Sequence, residues 1–256
     1  MEVDFGPTAG DYLQHRTGFP DQLFDRLSDI GIGRPGQRIL DLGTGTGSLA
    51  RGFARRGALV TGIDISEQML AAARQTTARE GLAVDYHRAA AEATGLPTGA
   101  FSVVSAGQCW HWFDRPAAAR EAKRLIEPGG RLVIAHFDWV PLPGNVVAAT
   151  EELIHAFNPS WSFGGGTGIH PAWFRDVRDF EGIESFSFDV DVAYSHEAWR
   201  GRIRASSGVG GSLDPHTVEA FDGALRARLI DHFPGDPLAV PHRCFALFAT
   251  RPLHDR

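Results

Sequence analysis

The chain has 256 residues, 43% of them hydrophobic, enough for one large α/β core with a smaller part attached but not for two independent domains. Its formal net charge of -6 offers no basic field to gather nucleic acid or anionic lipid, so the expected partner is a small molecule, with no nucleic acid and no membrane. Cys109 and Cys244 stand far apart and outside any metal-ligand spacing, which excludes a disulfide framework or a zinc cluster; with no apolar leader or spanning run, a soluble cytoplasmic protein is expected.

Residues 1–36 read as an N-terminal segment with a helix over FPDQLFDRLSDIG. Residues 37–140 alternate strand-like runs (RILDL, ALVTGID, VDYHRA, FSVVSAG, RLVIAHF) with helical stretches (SLARGFARRG, SEQMLAAARQTTAREG, RPAAAREAKRLIEPGG). That alternation is the βαβ signature of a parallel sheet, and Pro-Gly-Gly after the third helical stretch suits a turn into the next strand. Residues 141–182, rich in aromatics and carrying Gly164, Gly165, Gly166 and Gly168, break the pattern and read as a helical cap or lid. Residues 183–256 hold two further strands, SFSFDVDVAYS and VPHRCFALFATR, with two helices between them; the strands are placed to close the sheet as an antiparallel pair. The expected fold is α/β: a Rossmann-like, seven-stranded, mostly parallel sheet with an antiparallel last strand and a helical cap.

The stretch ILDLGTGTGS is a strand feeding a glycine-rich turn and a helix, a form that presents bare backbone and a positive helix N-terminus to a ligand. Dinucleotide binding asks for G-x-G-x-x-G, but here the third glycine is Gly47 and Ser48 follows it. Asp41 stands two residues before Gly43, where it can face a cationic amine, so D-x-G-x-G-x-G argues for a cofactor with an ammonium group. Asp64 ends the next strand, where a carboxylate can accept both hydroxyl protons of a ribose.

On LDLGTGTG and GIDIS, with DYLQHRTGFP, AAAEATGLP and GQCWHWFD, the chain resembles the class I S-adenosylmethionine-dependent methyltransferases over nearly its whole length. The resemblance is closest to the small-molecule branch, methyltransferase type 11, that includes trans-aconitate-type enzymes. It implies S-adenosyl-L-methionine as cofactor and a small-molecule methyl acceptor. It also implies that Gly43, Thr44, Gly45 and Gly47 pass beneath the methionine part and that Asp41 orders the loop near the amino group. Asp64 would hold the ribose, Ile65 and Met69 would lie against the adenine, and Ala90, Ala91 and Glu92 would border its edge. Many relatives carry an aspartate where this chain has Ala90, so adenine recognition must lean on backbone and apolar contact. Gln108, Cys109 and Trp110 would lie near the transferring methyl. Tyr12 and Arg16 match a Y-x-x-x-R pattern in an N-terminal segment that closes the site, and Arg16 can pair a carboxylate.

His111 reads either as a hydrogen-bonded structural histidine in an aromatic cluster or as the imidazole that takes a proton from a hydroxyl acceptor; His136, with Asp138, is placed after the fifth strand and reads in the same two ways. No metal is expected. The glycine run is either a simple connection or the hinge of a lid carrying Trp161, Phe163, His170 and Trp173; Arg204, Ser206 and Ser207 either line the acceptor pocket or finish a helix. The function read from these features is methyl transfer to a small molecule, by O-methylation of a carboxylate or hydroxyl through in-line displacement. N- or C-methylation of a natural-product intermediate and a non-catalytic cofactor-binding module are the alternatives.

Overall fold

The computed structural model describes residues 18–254, so Tyr12 and Arg16 lie outside the described residues. Contacts divide these into two compact units: 18–137 with 170–188 and 244–254, and 138–169 with 189–243.

In the first unit α1 (Asp21–Asp29) buries Leu23, Phe24 and Leu27 on one face. The chain then runs through β1 (Arg38–Leu42), α2 (Ser48–Ala54), β2 (Leu59–Asp64), α3 (Glu67–Arg79), β3 (Val84–Arg88), β4 (Phe101–Gly107) and α4 (Arg115–Leu125). Three longer strands complete the sheet: β5 (Ile126–Trp139), β6 (Glu181–Tyr194) and β7 (Leu238–Thr250). Their order is β3-β2-β1-β4-β5-β7-β6, and β1 to β5 pair in parallel. The sheet is seven-stranded and mostly parallel with an antiparallel last strand, as expected from the sequence. A parallel strand is buried on both faces, which is why Ile39, Leu40, Leu42, Val103, Val104 and Ile134 are all inaccessible.

Helix ends follow their residues. Ser66 and Asp114 accept the Met69 and Ala117 amides as N-caps of α3 and α4. One boundary differs from the sequence reading: Glu-Pro-Gly-Gly is no turn ahead of β5 but an irregularity within it. Ile126 sits opposite Phe101 and Arg131 opposite Val103, so the residues between bulge out of the ladder. Gly130 allows this, since a Cβ there would lie 2.7 Å from the Ser102 carbonyl oxygen.

The second unit holds α5 (Val146–Phe157), α7 (His196–Arg204) and α8 (Pro215–His232). A one-turn helix, α6 (Trp173–Asp176), belongs to the first unit. The apolar faces of α5, α7 and α8 meet in a core of Val147, Ile154, Trp199, Ile203, Phe221 and Leu225. Arg204 ends α7 in ion pairs to Asp222 at 2.7 Å and Glu197 at 3.1 Å, and Ser206 follows it, buried. Among the described residues no helix is long and apolar enough to cross a membrane.

Candidate active site

Strand order reverses at β1, which lies between β2 and β4, and the carboxyl ends of β1 and β4 therefore open a crevice of the kind that takes ligands in α/β sheets. The glycine loop leaves β1 there. Gly43, Gly45 and Gly47 have φ of +58°, +55° and +80°, the left-handed region that favours glycine. A Cβ on Gly43 would lie 2.9 Å from the Phe113 ring and 3.0 Å from Cys109 Sγ, whereas one on Gly45 would meet nothing within 4 Å. The first glycine thus lets two connections pack, and the second leaves backbone facing open space.

Asp41 is buried beneath the loop at 1% exposure. Thr44 Oγ1 donates to its Oδ2 at 2.7 Å and Ser105 Oγ, from β4, donates to its Oδ1 at 2.9 Å. Burial pushes its carboxyl up to about 7, against the lowering effect of these two hydroxyls. Asp64 ends β2 half-buried; its Oδ2 accepts the Gly45 amide and its Oδ1 the Ser66 amide, each at 2.9 Å. A carboxylate oxygen keeps a second lone pair after one such bond, so Asp64 can still accept from a ligand hydroxyl. Ile65, next in the chain, is 68% exposed, and Met69 is half-buried on α3. Ala90 is half-buried and Ala91 buried after β3, while Glu92 accepts the Asp114 amide at 3.0 Å.

After β4, Gln108 has φ +64°, the one positive φ outside glycine among the described residues, a conformation that costs energy and clusters at functional sites. It is held at both ends: its amide donates to the Ala135 carbonyl at 2.9 Å and its side-chain amide to the Phe137 carbonyl. Cys109 Sγ donates to the Leu42 carbonyl at 3.1 Å, tying this turn to the start of the glycine loop. Trp110 is fully buried, and its indole N–H donates at 3.0 Å to Asp176 on α6, so its side chain anchors the turn.

His111 is exposed on that turn. His136 lies within β5, which runs on to Trp139, rather than after the strand. It is buried, with ring centroids 5.8 Å from His111 and 4.4 Å from His170, and His170 stacks on Trp173 at 3.9 Å. Among the described residues no three or more His, Cys, Asp or Glu are grouped to hold a metal ion. Sequence reasoning did not pair Ser105 with Asp41, Asp176 with Trp110, or His170 with His136; each joins residues at least 34 positions apart with no local pattern to announce it.

A family model described as a methyltransferase domain matches residues 40–134. The ubiquinone biosynthesis O-methyltransferase of Pseudomonas paraeruginosa is 33% identical over 217 residues, which cover 73% of this chain and 93% of the relative. The chain belongs to the class I S-adenosylmethionine-dependent methyltransferases. A second relative of this methyltransferase, the demethylmenaquinone methyltransferase of Thermus thermophilus, is 41% identical over 115 residues, 44% of this chain and 52% of that one. The fold is shared with a candidate type II methyltransferase from Anaeromyxobacter dehalogenans, at a TM-score of 0.71 and 23% identity over 93% of this chain and 99% of that one.

The cofactor of this methyltransferase is S-adenosyl-L-methionine, and the residues present fit it. The open backbone at Gly45 suits the close approach of its amino-acid part. The Asp64 carboxylate suits a diol, and the exposed apolar Ile65 suits the face of a purine.

Proposed function

We propose that the methyltransferase O-methylates a hydroxyl or carboxylate of a small molecule, with His136 and His111 as the groups that receive a proton from the acceptor. The observation carrying this reading is the buried imidazole of His136, 4.4 Å centroid to centroid from His170 and 5.8 Å from His111, near the carboxyl end of a sheet strand. A hydroxyl becomes a good nucleophile as it loses its proton, and an imidazole titrates where that transfer is easy at neutral pH. The relative named as a ubiquinone biosynthesis O-methyltransferase supports oxygen as the nucleophile.

The sulfonium of S-adenosylmethionine supplies an activated methyl group, so the protein's own task is chiefly alignment, which can lower a barrier by about 7 to 11 kcal/mol in well-oriented reactions. In this reading Gly43, Thr44, Gly45 and Gly47 pass beneath the methionine part, with Asp41 ordering them. Asp64 accepts the ribose hydroxyls and Ile65 and Met69 flank the adenine, whose edge meets Ala90, Ala91 and Glu92. Gln108 and Cys109 border the methyl end, held there by their bonds to Phe137 and Leu42. A reducing cytoplasmic setting agrees with two buried cysteines kept as thiols.

The test is transfer of a carbon-13 methyl group to a panel of phenols, catechols, hydroxy acids, carboxylic acids and amines, with the product methyl read by NMR. An O-methyl signal, lost on His136→Gln and reduced on His111→Gln while cofactor binding is kept, is the expected result. A methyl on carbon or nitrogen would replace this reading with the alternative that the relative named as a demethylmenaquinone methyltransferase keeps open.

A further inference from the structure

The far half of the glycine loop rests on two side chains that no role has yet claimed. Tyr86 of β3 is buried, and its hydroxyl shares a 2.9 Å hydrogen bond with the hydroxyl of Thr77 on α3. Its oxygen stands 2.3 Å from where a Cβ on Gly47 would be, and its ring 2.9 Å from one on Gly62. The Tyr86 phenol therefore forms the wall against which Gly47 turns.

Arg51, on α2, reaches back to the same place. Its guanidinium donates to the Thr46 carbonyl and lies, like the Tyr86 hydroxyl, against the place a Cβ on Gly47 would take, and its Nε donates to Glu80 at 3.2 Å. The Gly47 amide in turn donates to the Thr44 carbonyl at 2.8 Å. Both polar ends of the Thr46–Gly47 peptide are thus engaged, and rotation of that peptide would break both bonds. This peptide leads directly into α2, whose first residue is Ser48.

We propose that Tyr86 and Arg51 are positioning residues for the cofactor: they fix the Thr46–Gly47 peptide and so the direction in which the loop backbone meets S-adenosylmethionine. The inference rests on the reading that this loop seats the cofactor, and Asp64→Ala serves as the control for that reading.

The measurement is calorimetric binding of S-adenosylhomocysteine to the full chain, beside the melting temperature of the unliganded protein, for Arg51→Gln, Arg51→Lys, Tyr86→Phe and the Arg51→Gln/Tyr86→Phe pair. Arg51→Gln should weaken binding about tenfold and Tyr86→Phe about threefold, the effects of one charged and one neutral hydrogen bond. Arg51→Lys, which can still donate to the Thr46 carbonyl, should recover most of the loss. The double variant should lose less than the product of the two, since both act on one peptide. Unchanged affinity, or weakening that follows loss of melting temperature and is not recovered by lysine, would make the pair ordinary packing and overturn the proposal. If Asp64→Ala also binds normally, the seat itself has been misplaced; if it alone fails to bind, only the Tyr86 and Arg51 inference falls.

Discussion

Asp41→Asn tests whether a buried carboxylate under the glycine loop sets how stability depends on pH. In the fold its carboxyl is pushed from the ordinary 3.8 up to about 7, chiefly by burial. The native state therefore holds a proton there that the unfolded chain has given up between those two values. Stability rises with pH only where the unfolded state binds more protons, so here it falls. The stabilisation is complete below about pH 3.8, declines with rising pH, and is lost once pH passes about 7. The interval corresponds to about 4 kcal/mol in all, at about 1.4 kcal/mol per pH unit. Asparagine keeps the shape and can still bond both Thr44 and Ser105, but it does not titrate.

Urea unfolding of wild type and Asp41→Asn at intervals from pH 4 to 8.5 isolates this group, because every other titrating residue is common to both chains. The asparagine variant should gain on wild type by several kcal/mol as pH rises from about 4 to about 7, then hold a constant difference. Parallel curves would mean that Asp41 titrates near its unfolded value, and the picture of a dehydrated carboxylate held by the Thr44 and Ser105 hydroxyls would have to be abandoned.

Three further outcomes follow from the same geometry. Gly45→Ala and Gly36→Ala both place a Cβ in open space at positive φ, +55° and +77°, so each should lose about 1 to 2 kcal/mol in urea melts, but only Gly45→Ala should weaken S-adenosylmethionine binding in calorimetry. Trp110→Phe removes the indole donor from Asp176 in a buried setting and should cost about 1 to 3 kcal/mol by thermal or urea unfolding, while Asp176→Asn, which retains an acceptor oxygen, should cost less. The Glu121 carboxyl is held down to about 2 by its hydrogen bond from Arg124, aided by Thr94, so wild type should lose stability as pH falls from about 4.5 toward about 2; Glu121→Gln should be less stable above that window, and its deficit relative to wild type should shrink across it, as acid titration followed by circular dichroism would show.

How far the sequence disclosed this molecule depended on the range of the interaction involved. The βαβ alternation and the glycine-rich turn between the first strand and the next helix are local, and each is legible from a few neighbouring residues. The bulge at Glu127–Gly130 was not, because a Pro-Gly-Gly triplet suits a turn and a strand irregularity equally, and only the pairing of Phe101 and Val103 with β5 decides between them. Residues 141–182, taken together as a cap from their aromatics, divide after residue 169: Trp161 packs in the helical core, whereas His170 and Trp173 pack on His136 and Phe245. Aromatic content states that a segment is buried and is silent on which core receives it.

The same limit holds for Asp41: its position two residues before Gly43 lets it face a cofactor amine, and only the fold shows its carboxyl bonded to Thr44 and Ser105. That pairing depends on register: Asp41 lies directly opposite Ser105 because Ile39 is opposite Val103, a consequence of how two whole strands align. Once the register is set, the ends of β1 and β4 behave as one piece. The Ser105 hydroxyl holds Asp41, the Cys109 thiol holds the Leu42 carbonyl, and Phe113 closes on Gly43. A loop built of three glycines would lose much conformational entropy on ordering if it stood alone. Here that loss is met largely in folding, through bonds from β2, α2 and β4, so the backbone reaches its ligand already shaped and the cofactor has less to organise when it binds.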